Sequence, residues 1–178
     1  MNVYRVALVC LWFLCLPAVA AEPEIARAYN RTAQMNDARM ITELSFAAGS
    51  SDLTGDARRQ LGDFLHDAKA LGTISGIKVA SWADHEYPNG SRRTLDRSSR
   101  RLADERGQEI QNYIQDNSEG IKTELYNMAE KPDAMEKLFN TSDNVKLKYS
   151  LEKTGLAHPD KTRMPPKASR ALVMIVYR

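Results

Sequence analysis

Ile74-Ser75-Gly76-Ile77-Lys78-Val79-Ala80-Ser81-Trp82 is short, rich in β-branched residues and closed by Ala83-Asp84, so it is predicted to be a strand ending in an acid. Upstream, apolar residues recur at helical spacing: Leu53, Ala57, Leu61, Phe64, Leu65, Ala68 and Leu71. Thr54 is placed to cap that helix and Gly72 to stop it. Before it, Ile41-Thr42-Glu43-Leu44-Ser45-Phe46 mixes alternation with β-formers, and Gly49-Ser50-Ser51 breaks the chain. The result is a strand–helix–strand unit, with a right-handed crossover if its strands are parallel.

Downstream of Asp84, Pro88, Asn89 and Gly90 mark a loop that runs to Thr94. A second helix is predicted from near Ser98 to Gln115. On its apolar stripe, in register with Leu102, Ile110 and Tyr113, stands a charge, Arg106. Ile121 to Met128 suits a third strand, and Asp133 to Phe139 a short helix capped by Asp133. Val145, Leu147, Tyr149 and Leu151 alternate as in a strand, yet Leu147 and Leu151 also suit a helix, so both assignments stay open. Leu156 to Lys167 is a loop rich in Pro and Lys. Ala171-Leu172-Val173-Met174-Ile175-Val176-Tyr177 is a strand apolar on both faces, which belongs in the middle of a sheet. The predicted fold class is α+β: one mixed sheet in β/α/β/α/β order, with two main helices packed on one face.

The chain opens with an address. Arg5 followed by the apolar run Val6 to Leu16, the breaker Pro17 and small residues Ala18 to Ala21 reads as a signal peptide over 1–20, cut after Ala20. That run is too short for the hydrocarbon core of a bilayer, about 30 Å. Residues 21–40 form an arm or short helix, and 41–178 one domain with its own core. Both cysteines, Cys10 and Cys15, lie in the leader, and Leu14 and Val9 before them do not suit lipidation. The mature chain would then contain no disulfide, thiolate metal site or cysteine nucleophile. The formal charge is +2, and cleavage removes Arg5. Near-neutral balance argues against a general nucleic-acid binder. No second hydrophobic segment follows the leader, so the product is expected to be exported, with no membrane span.

The order of these pieces resembles the OmpA-like periplasmic domain family, which binds peptidoglycan. Four stretches carry the resemblance: Ile41 with Leu44-Ser45-Phe46-Ala47-Ala48-Gly49-Ser50 and Leu53; Ile77 to Asp84; Leu102-Ala103-Asp104-Glu105-Arg106-Gly107; and Ser169-Arg170-Ala171-Leu172. The resemblance implies that Asp84 and Arg106 grip the diaminopimelate of a peptide stem, with Ser99 at the place of a family Asn and Arg170 in the final motif. The chain differs from the family at Ser81, Ser99, Ala103 and Ala171, and in a longer loop between the pair.

Diaminopimelate presents an ammonium and a carboxylate on one carbon. A guanidinium can meet the carboxylate with two parallel hydrogen bonds while an aspartate holds the ammonium. Backbone N–H groups at the start of the second helix are a further candidate anion site. A basic cluster, Arg92, Arg93, Arg97, Arg100 and Arg101, precedes that helix. It suits acidic stems, phosphate-bearing envelope polymers or an anionic membrane surface; as a solvated loop it would be balanced by Asp96, Asp104 and Glu105. An arginine stem on an apolar stripe can also simply snorkel to water.

Enzyme signatures find little support. Asp84-His85-Glu86 groups three ligand types, but adjacent side chains diverge, and His66 and His158 lie far along the chain. No nucleophile-elbow or phosphate-loop pattern occurs. Trp82 suits stacking on a sugar, or the core. The sequence therefore predicts a non-enzymatic wall-binding module of a Gram-negative periplasm, outer-membrane or cell-wall associated, needing no cofactor and no metal. Its partner would be peptidoglycan, and another envelope protein is a further candidate. The alternative is an envelope interaction or structural subunit that keeps the fold without wall binding.

Overall fold

The computed structural model describes residues 22–85, 95–118, 120–129, 143–156 and 169–178. The predicted leader 1–20, the predicted loop over 86–94 with Arg92 and Arg93, the helix predicted over Asp133–Phe139 and the Pro- and Lys-rich residues 157–168 lie outside the described residues.

In chain order the elements are α1 (Glu22–Met35), β1 (Met40–Ser45), α2 (Gly55–Leu71), β2 (Ile74–Ser81), α3 (Arg97–Asn117), β3 (Thr123–Asn127), α4 (Asp143–Thr154) and β4 (Arg170–Tyr177). The strands form one mixed sheet in the order β1-β4-β2-β3, with β2 and β3 parallel and β4 antiparallel to both β1 and β2. The architecture is the α+β one the sequence predicts.

The position of β4 follows from its composition. Ala171 to Ile175 expose nothing, and a strand apolar on both faces is stable only where both faces are covered. On one face Ala171, Val173 and Ile175 join Leu44, Phe46, Ile77 and Val79 beneath Leu61 and Leu65 of α2 and Ile110 and Ile114 of α3. These are the two main helices, on one face as expected. The opposite face is covered too: Leu172 and Met174, with Ala80, Trp82 and Tyr126, meet Ala28 and Ala33 of α1 and Leu147 and Leu151 of α4. Residues 22–35 are thus helix, and α1 covers this second face together with α4.

The open choice over 145–151 resolves as helix. A strand would put Val145, Leu147, Tyr149 and Leu151 on one face. Instead Leu147 and Leu151, four apart, are fully buried while Tyr149 is 53% exposed. Two residues on a helix are about 200° apart, which turns Tyr149 outward. Four buried polar side chains lock α1 to α4: Thr32 Oγ1 lies 2.8 Å from Thr154 Oγ1, and Asn36 donates to the Thr32 carbonyl and, at 2.6 Å, to Ser150 Oγ.

Both main helices begin on caps. Thr54 accepts from the Ala57 N–H at 3.1 Å, and Asp96 accepts from the Ser99 N–H at 2.7 Å, each satisfying an N–H that the first turn leaves open. Gly72 ends α2. Gly107 lets α3 come close to β2, because a Cβ there would sit 3.1 Å from Ser81 Oγ. This close approach sets the depth at which the neighbouring Arg106 enters the fold.

Candidate functional site

The register brings three chain segments to one end of the sheet. Ser45 pairs with Arg170 and Ser81 with Ala171, so β1 and β2 finish where β4 begins. Ser169, at φ 53, is the junction. Its N–H donates to the Ala83 carbonyl at 2.7 Å, and its own carbonyl accepts from the Phe46 N–H at 2.8 Å. Asp84 leaves the end of β2 here, and Arg106 enters from the third turn of α3.

The two side chains meet. Arg106 Nη2 donates to Asp84 Oδ1 at 2.6 Å. Arg106 makes three further bonds, all to backbone carbonyls: Nε to Ser50 at 2.8 Å, Nη1 to Trp82 at 2.9 Å and Nη2 to Ala47 at 3.1 Å. The guanidinium carbon also lies 5.0 Å from the centre of the Phe46 ring, within cation–π range. The side chain exposes 0% of its surface, against 25% for Asp84. Arg106 is therefore no snorkelling residue. It is a buried cation whose desolvation is offset by a carboxylate and three carbonyls.

Asp84 is equally engaged. Its Oδ1 also accepts from Ser169 Oγ at 2.8 Å, and its Oδ2 accepts from the Gly49 N–H. Burial pushes its carboxyl up, but the bonds from Arg106, Ser169 and Gly49 and the Arg106 charge outweigh that and hold it below the ordinary carboxylate value. The pair thus presents its anionic end to solvent and keeps its cationic end inside.

The other expected site residues have partners of their own, Ser99 in Asp96 and Arg170 in Glu43. Ser99 is buried in the first turn of α3, where its N–H meets Asp96. That bond also places the chain's own carboxylate at the helix start, the position predicted for an anion. The backbone bond from Ser99, with the Ser98 and Ser99 hydroxyls, holds the Asp96 carboxyl below its ordinary value. Arg170 projects from the other face of β4 and pairs with Glu43, which also accepts from Tyr29 of α1. Trp82 is a core residue at 1% exposure. Of the arginine cluster, Arg97, Arg100 and Arg101 line a shallow cavity of about 640 Å³ with Ser98 and Asp104, and Arg101 pairs with Glu105 at 3.4 Å.

Gly49, Ser169 and the carbonyls of Ala47, Ser50 and Trp82 complete the site. Gly49 and Ser169 stand in stretches already singled out in the sequence. The carbonyls leave no trace there, since every residue has one.

No protein-family model matches the chain, and no curated protein matches it in sequence. Among solved structures it is similar to the OmpA-like domain of FopA1 from Francisella tularensis, with a TM-score of 0.42 and 15% identity, over 75% of this chain and 70% of that one. It is also similar to a MotB-like protein of Desulfovibrio vulgaris, with a TM-score of 0.40 and 18% identity, over 88% of this chain and 96% of the other.

Proposed function

We propose that this chain is a divergent OmpA-like module, exported to the periplasm of a Gram-negative cell, that binds peptidoglycan without catalysing a reaction. Asp84 and Arg106 are the proposed ligand-binding pair, taking the ammonium and the carboxylate of diaminopimelate in a peptide stem. The observation that carries this proposal is the 2.6 Å contact of Arg106 Nη2 with Asp84 Oδ1. It holds opposite charges within one side chain's reach at the end of the sheet, as a ligand with both charges on one carbon requires. The affinity expected of such a pair is moderate, because binding must recover the desolvation of every charge involved.

One observation favours a second reading, an envelope interaction subunit that has lost wall binding. Arg106 exposes no surface, and its guanidinium is already bonded to Asp84 and to the carbonyls of Ala47, Ser50 and Trp82. Retention on purified sacculi separates the two. Under the first reading the wild type is retained, and Arg106→Ala and Asp84→Ala, checked for folding by circular dichroism, are lost to the supernatant at least about tenfold more. Equal retention of all three proteins would remove the assigned pair. No retention of the wild type selects the second reading.

A further inference from the structure

The turn between β1 and α2 supplies groups that match the ligand it would exclude. Its Gly49 N–H occupies Asp84 Oδ2, where a ligand ammonium would donate. Its Ala47 and Ser50 carbonyls occupy Arg106 Nη2 and Nε, where a ligand carboxylate would accept. One donor and two acceptors of a single turn thus fill both halves of the pair. We propose that this turn is an internal surrogate for the ligand, and that the site, given the wall-binding reading above, opens only when the turn leaves Arg106 and Asp84.

The turn is built to be displaced. Ala47, Ala48 and Gly49 are exposed, and burial resumes only at Phe46 on one side, 7% exposed, and Leu53 on the other, 4% exposed. The segment is therefore pinned by two apolar anchors and held between them chiefly by polar contacts. Such contacts exchange with a ligand's own donors and acceptors at small net cost. The remaining partners stay in place: Ser169 on Asp84 and the Trp82 carbonyl on Arg106 lie just before β4 and just after β2, not in the turn. Displacement thus keeps the pair positioned while it clears Oδ2 of Asp84 and one edge of the guanidinium, the edge formed by Nε and Nη2. That edge is one of the two that an arginine can use for two parallel bonds to a carboxylate.

Gly49 is the handle for the test. It sits at φ 70, and a Cβ there meets nothing within 4 Å. Alanine at this position therefore strains the closed turn without a clash, and binding to a rarely populated open form tightens in proportion to its population. Gly49→Ala should bind a soluble diaminopimelate-containing muropeptide about fivefold more tightly than the wild type by calorimetry, with Arg106→Ala abolishing binding in both backgrounds. In the wild type, hydrogen exchange at the Gly49 amide should speed up when the muropeptide is added, because its acceptor is handed to the ligand. Equal affinities of wild type and Gly49→Ala, with unchanged Gly49 protection in the complex, would overturn the surrogate turn and leave wall binding standing. Binding by neither protein would overturn both proposals. A Gly49→Ala chain that failed to fold would leave the amide-exchange measurement on the wild type to decide.

Discussion

Replacing Asp84 by Asn tests the charge at the heart of the site with little change of shape. The Asn carbonyl can stand at the Oδ1 position and still accept from Arg106 and Ser169, which both address that oxygen. The amide NH2 then faces the Gly49 N–H, a donor against a donor. Arg106, with no exposed surface, loses its counter-charge. Two unit charges about 4 Å apart attract by about 4 kcal/mol at an effective dielectric of about 20. Because Asp84 is 25% exposed and the hydrogen bonds at Oδ1 survive, a net loss of about 2 kcal/mol is expected, short of the 3–5 kcal/mol typical of breaking a fully buried pair.

In a domain of this size that loss lowers Tm by about 4–8 °C. The pH dependence carries a sign. Burial raises the Asp84 carboxyl and its hydrogen bonds lower it by more, so the folded value lies below the unfolded one, which is about 3.9. A depressed carboxylate contributes its full stability above the unfolded value and loses it as pH falls through the folded one. The wild-type advantage over Asp84→Asn should therefore be constant from about pH 7 to about pH 5 and shrink below about pH 4. Urea unfolding of both proteins across that range measures it. A gap under about 0.5 kcal/mol at neutral pH, or one that does not narrow in acid, would refute the assignment of Asp84 as the working counter-ion of Arg106.

Three stability predictions concern the frame around the site. Thr54→Ala removes the oxygen that caps α2 at the Ala57 N–H, and urea unfolding should show a loss of about 1 kcal/mol. Gly107→Val drives branched carbon into a space where even a Cβ lies 3.1 Å from Ser81 Oγ; about 1–3 kcal/mol should be lost and Tm should fall, and an unchanged Tm would mean that α3 does not sit that close to β2. Asn36→Ala takes the donor away from Ser150 Oγ and the Thr32 carbonyl inside the α1–α4 contact. It should cost about 1–3 kcal/mol and deprotect α1 amides in hydrogen exchange before those of β4.

Much of the frame was legible in the chain because it rests on periodicity. Alternation and apolar runs marked all four strands, and helical spacing with Thr54 and Gly72 marked α2. The central place of β4 followed from its two apolar faces. The ambiguity at 145–151 had a physical source: Leu147 and Leu151 satisfy both periods, and only the exposure of Tyr149 distinguishes them. Asp84 and Arg106 stood out by residue type and place, an acid closing a strand and a cation on an apolar stripe.

By itself, then, the sequence determined most of the strands and helices, and singled out two charged residues by type and place, an acid closing a strand and a cation on an apolar stripe. These are local properties, written in side-chain type and spacing. Only the tertiary structure decided that both faces of the sheet are covered, since the partners of α1 and α4 lie more than a hundred residues apart in the chain. It alone decided that Arg106 is closed in by Ala47, Ser50 and Trp82. Those partners are backbone carbonyls, identical in every residue, and folding alone selects which of them a buried guanidinium will find.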